Sequence, residues 1–175
     1  MQDVIRLDLG GVNAYLLKKE EKFVLVDTGG HMFLDKVLDN RRDRLKKGLA
    51  EHGVTRDNLA LAKLMRHIYE KFESFEPDCF LKDGDSMEKF GMEGKILGLP
   101  GHTPGSIGII WGDGQLIAGD ILANLSKPSQ GVNAQDCKQM LESVDKIRNH
   151  NVSMVYPGHG KPFRMELLGG KQRAI

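Results

Sequence analysis

Two Pro-Gly-His turns, each closing an apolar run, constrain this chain more than any other feature. The first lies in LGLPGHTPGSIGIIW (97–111) and the second in VSMVYPGHG (152–160). Between them a Gly-Asp-Gly hairpin turn (112–114) leads into QLIAGD (115–120), which stops at a carboxylate. Glycine and proline punctuate strand ends. His102, Asp120 and His159 are therefore expected where strands stop and loops begin, at places from which a rigid sheet presents side chains to a ligand. All three are of metal-ligand type.

With 175 residues the chain is expected to form one domain, 1–175, with a sizeable core. Its 25 basic and 24 acidic residues leave a formal charge of +1, and no basic run is longer than a pair. A phosphate-neutralising face, and with it a nucleic-acid partner, has no support. No apolar stretch approaches a membrane span, and MQDVIRLDL lacks the apolar centre of a signal peptide. Cys79 and Cys137 stand far apart without a CxxC motif, which reads as two reduced thiols in a cytoplasmic protein.

Residues 4–9, 12–17 and 23–27 read as strands. The last is a continuous apolar, β-branched run, as expected of a strand covered on both faces. It ends in Asp27-Thr28-Gly29, where Asp27 is expected to be buried and to accept backbone N–H bonds. Residues 33–52 carry apolar side chains at helical spacing, with Gly53 as the stop. Thr55-Arg-Asp-Asn offers caps for a second helix over 59–72. His52 at a helix C-terminus and His67 beside an apolar stripe both have plain readings on helices. A short strand is expected at 79–81 and a turn at 82–85. A third helix is expected over 134–149, with Met140, Leu141, Val144 and Ile147 inward and His150 as its cap. The last strand, 152–156, leads to His159, and 161–175 reads as a largely polar tail.

Asp27-Thr-Gly, Pro100-Gly-His102-Thr-Pro-Gly-Ser, Gly119-Asp120 and Pro157-Gly-His159-Gly, in this order, resemble the metallo-β-lactamase superfamily. That family includes glyoxalase II-type thioesterases, lactonases and arylsulfatases. The resemblance covers about residues 4–162 and implies an α/β fold, the αββα sandwich of two mixed sheets with helices outside. It implies that His102 and Asp120 serve one metal, and that Asp120 bridges to a second metal which His159 also holds. It places Asp27 as a buried organiser, with Thr28, Gly29 and Thr103 in the shell around the ligands. Zinc, iron or manganese suits imidazole and carboxylate.

The family's central signature, HxHxDH on a loop after the strand that follows the first helix, is absent: none of the six histidines stands two residues from another. The expectation is a truncated sandwich that has lost one strand and the main ligand loop. Two readings compete. One is a family member with an incomplete metal site and little or no catalysis, with no residue assigned as catalytic. The other is a hydrolase of an ester, thioester or lactam, a small-molecule substrate, that uses one weakly held metal with His52 or His67 recruited. A serine-based site has no support, since Thr103, Ser106 and Ser126 lack a GxSxG elbow. A lost strand would expose sheet edges, so a homodimer is expected, with domain swapping of residues 1–53 as one form.

Overall fold

The computed structural model describes residues 2–27, 35–55, 59–62 and 79–169. Strands β1 (Gln2–Asp8), β2 (Asn13–Lys19) and β3 (Lys22–Val26) form an antiparallel meander. Helix α1 (Asp35–Glu51) then carries the chain back, and β4 (Leu59–Ala62) pairs parallel to β3, giving the order β1-β2-β3-β4. A second sheet follows, with β5 (Lys95–Gly98), β6 (Ile107–Trp111), β7 (Gln115–Asn124), β9 (Met154–Gly160) and β10 (Phe163–Arg164) in the order β10-β9-β7-β6-β5. Strand β8 (Pro128–Gln130) folds back on β7, and α2 (Cys137–Arg148) crosses over to bring β9 parallel to β7.

Three apolar clusters define four layers. Leu45 and Leu49 of α1 meet Leu7, Leu16 and Leu25 on the outer face of the first sheet. Tyr15, Leu17, Val24 and Val26 pack between the sheets against Ile96, Ile109, Trp111 and Ile117. Met140, Val144 and Ile147 of α2 close the far side over Leu97, Leu116, Leu122 and Val155. Strand β2 has one face in each of two clusters, so five consecutive residues are buried rather than alternate ones. This is the expected αββα sandwich.

Three expectations fail. The helix over 59–72 is overturned at its start, because 59–62 is a strand; residues 63–72 lie outside the described residues. Ala and Leu favour helix by only about 0.5 kcal/mol per residue over other types. Pairing along β3, from Phe23 opposite Leu59 to Val26 opposite Ala62, outweighs that preference. A strand thus stands after α1 where one was expected to be missing. The second failure is the polar tail: Phe163 pairs with Val155, and Phe163 and Leu168 enter the core. The third is the strand at 79–81. Those residues are irregular, Phe80 is exposed, and Ser86 bridges to Lys95 instead.

Helix α2 is shorter than its expected span because Asp136 caps it, accepting the Gln139 amide. Ser143 rather than Leu141 completes its buried face. His150 caps the other end, its Nδ1 lying 2.9 Å from the Lys146 carbonyl.

Candidate functional site

Asp120 does not end its strand, as expected, but interrupts it. Strand β7 runs on to Asn124, and its pairing with β9 slips between Ile117 and Gly119 and again before Ala123. Gly119 sits at φ +56°, a left-handed conformation that glycine adopts without strain. The resulting bulge lets the parallel ladder resume beyond Asp120, a common way for a strand to re-aim one side chain. The carboxylate rests on the β9 backbone: a Cβ on Gly158 would collide with Asp120 Oδ1.

His102 stands on the turn between β5 and β6, and that turn is braced from two sides. Ser143 Oγ of α2 donates to the Pro100 carbonyl at 2.6 Å, and the Asp136 amide donates to the Gly101 carbonyl at 3.0 Å. Within the turn, the Thr103 amide donates to Ser106 Oγ (3.1 Å), and the two hydroxyls lie 2.9 Å apart. Thr103 thus acts through the turn's shape. His102 Nε2 lies 3.5 Å from Asp120 Oδ2, and its buried Nδ1 has no hydrogen-bond partner among the described residues.

His159 lies within β9 rather than beyond a strand end, opposite Ala123. Its Nε2 is 3.4 Å from Asp120 Oδ1, and its Nδ1 lies 2.5 Å from the Gly11 carbonyl. A carbonyl only accepts, so Nδ1 carries a hydrogen and donates to Gly11, and that bond turns Nε2 toward Asp120. Around this histidine the two sheets are stitched together. Asn13 Nδ2 donates to the carbonyls of Pro157 (2.9 Å) and Gly160 (2.7 Å), Tyr15 OH donates to Pro157 (2.6 Å), and Arg6 Nη1 donates to Gly160 (2.9 Å). Burial pushes the Tyr15 hydroxyl well above its ordinary value, and nearby Asp27 adds to the effect. It therefore stays a neutral donor.

Asp27 is half-buried rather than buried, and it adopts φ +65° directly after β3. Thr28, Gly29 and His67 lie outside the described residues. His52 is exposed in the turn that follows α1, its amide donating to the Leu49 carbonyl at 3.3 Å. The residues that sequence reasoning passed over are Gly11, Asn13 and Tyr15. A buried asparagine inside the apolar run NAYLL was the available sign, because a buried amide needs partners.

The structure therefore brings His102, Asp120 and His159 together, with one imidazole at each oxygen of one carboxylate. The donor types suit zinc or iron. The number does not: among the described residues no group of three or more His, Cys, Asp and Glu is placed to hold a metal ion. A catalytic zinc takes three protein ligands and a water, and each imidazole here shares only the one carboxylate. The described residues do not fit a catalytic metal.

Residues 42–159 match the profile of the Metallo-beta-lactamase superfamily. The hydroxyacylglutathione hydrolase of Vibrio campbellii is 44% identical over 69 residues, covering 38% of this chain and 25% of the relative. That of Photobacterium profundum is 31% identical over 134 residues, covering 71% of this chain and 51% of the relative. The chain thus spans about a quarter to a half of the length of these relatives. Among solved structures, a metallo-beta-lactamase family protein of Thermus thermophilus superposes with a TM-score of 0.67 at 19% identity, covering 93% of this chain and 74% of its own. TTHA1623, solved in a di-iron-bound form, gives 0.62 at 20% identity over 89% of this chain and 91% of its own.

Proposed function

The chain belongs to the metallo-beta-lactamase superfamily, and we propose that it keeps the shared-carboxylate half of a hydrolase's metal centre without hydrolytic turnover of its own. The observation that carries this reading is the ligand count around Asp120. Two imidazoles approach its two oxygens at 3.5 and 3.4 Å, and the sequence holds no HxHxDH segment to add the rest. Two ligands to an ion give weak, exchangeable binding; loss of supporting contacts alone costs about ten- to a hundredfold in affinity. Its setting is the cytoplasm, in keeping with two exposed free thiols, and among the described residues no helix is long and apolar enough to cross a membrane.

A second reading has one observation in its favour. The bond from His159 to Gly11 is the kind of contact that orients a metal-ligating imidazole. On that reading the chain is a hydrolase of an ester, thioester or lactam, working with one weakly held zinc, iron or manganese. Turnover assays with and without added zinc separate the two. The proposal expects none in either case, whereas zinc-dependent turnover that Asp120→Ala removes would favour the second.

A further inference from the structure

His159 is aimed by residues of the opposite sheet. It sits in the segment Pro157-Gly-His-Gly160, whose two outer carbonyls both point at β2. Asn13 is 3% exposed, and its carboxamide nitrogen reaches both carbonyls, at 2.9 and 2.7 Å. That nitrogen has two hydrogens; the two carbonyls are its shorter partners, and the Tyr15 hydroxyl lies a little farther off at 3.1 Å. Asn13 also begins β2 two residues after Gly11, whose carbonyl receives His159 Nδ1–H. On the other side, the approach of Asp120 to Gly158 leaves that segment no room to move toward β7.

We propose that Asn13 is the positioning residue of this site: by stapling the Pro157 and Gly160 carbonyls to β2, it holds His159 Nδ1 on the Gly11 carbonyl and turns Nε2 toward Asp120. Tyr15 OH shares the Pro157 carbonyl at 2.6 Å but does not reach Gly160. Arg6 reaches Gly160 from the half-buried side and is also paired with Asp8. Among the described residues Asn13 alone spans the segment. The inference rests on reading His159 and Asp120 as the site's working pair, while its test reads hydrogen bonds rather than turnover.

The test is nuclear magnetic resonance on the full chain labelled with 15N and 13C. Couplings across hydrogen bonds should link Asn13 Nδ2 to the carbonyl carbons of both Pro157 and Gly160, and His159 Nδ1 to the carbonyl carbon of Gly11. In Asn13→Ala the coupling from His159 Nδ1 to Gly11 should weaken and the Nδ1–H should exchange about tenfold faster, as expected for loss of a hydrogen-bonded support. His150, whose Nδ1 faces the Lys146 carbonyl on α2, should not change and serves as the internal control. Equal changes at His150 and His159 would mean a general loss of stability and would overturn the proposal, as would an unaltered His159. If Asn13→Ala does not fold, the couplings in the unsubstituted protein decide: their absence at either carbonyl sinks the idea.

Discussion

His159 donates its Nδ1 hydrogen to the Gly11 carbonyl at 2.5 Å, and this one bond ties the site to the first hairpin of the chain. It joins residues 148 positions apart and crosses from one sheet to the other. With Nδ1 occupied, Nε2 faces Asp120 at 3.4 Å. The two imidazoles are supported unequally. Among the described residues the buried Nδ1 of His102 has no partner, and the ring rests on the braced turn beneath it.

Gly158 is the position where added bulk meets the site carboxylate directly. A methyl group there would occupy the place of Asp120 Oδ1, so either the carboxylate or β9 must shift. Gly158→Ala should cost roughly 1–3 kcal/mol of stability, the usual range for overpacking a closed site. Urea unfolding measures it, and a loss near zero would mean that Asp120 swings away freely.

Alkaline pH should destabilise the protein through buried Tyr15 and half-buried Tyr156. Burial raises Tyr15 above its ordinary value of 10, and Tyr156 moves the same way. Above that pH the unfolded chain gives up these protons while the folded chain keeps them. Stability is therefore fully present below about pH 10 and falls as the pH rises past it. Tyr15→Phe should start about 1 kcal/mol less stable for want of the bond to Pro157. Its alkaline decline should be shallower. Unfolding titrations from neutral pH upward compare the slopes; parallel curves would contradict the account.

A homodimer is the assembly we propose. Strand β4 ends the first sheet among the described residues. An edge strand of this kind can template pairing with a second copy of the chain. The reason is the edge itself and not a lost strand. Exchange of residues 1–53 between copies remains the swapped form of the same dimer. Light scattering at micromolar concentration should give twice 19.5 kDa, and a mass of 19.5 kDa would rule it out.

How far the residues alone disclosed this arrangement depended on whether a feature was local. The Pro-Gly-His turn at 100–102 and the hairpin at 112–114 are punctuated by glycine and proline, and they placed His102 correctly, whereas His159, also expected beyond a strand end, lies within β9. Strand β4 was hidden because Leu-Ala-Leu-Ala suits a helix by itself, and only β3, far back in the chain, makes it a strand. The burial of Phe163 and Leu168 beyond the last expected strand was hidden for the same reason. Asp120 was misplaced by one structural detail, a bulge at Gly119 that reads in sequence as a strand end. Asn13 was missed because its partners are backbone carbonyls 144 and 147 residues away, which no local pattern announces.

The most direct measurement is hydrolysis by the purified chain at neutral pH with stoichiometric zinc, tested on a thioester, a lactone and a β-lactam. The account predicts no turnover above background for any of them, because His102, Asp120 and His159 cannot fill a catalytic shell. Zinc-dependent turnover that disappears in Asp120→Ala would contradict it.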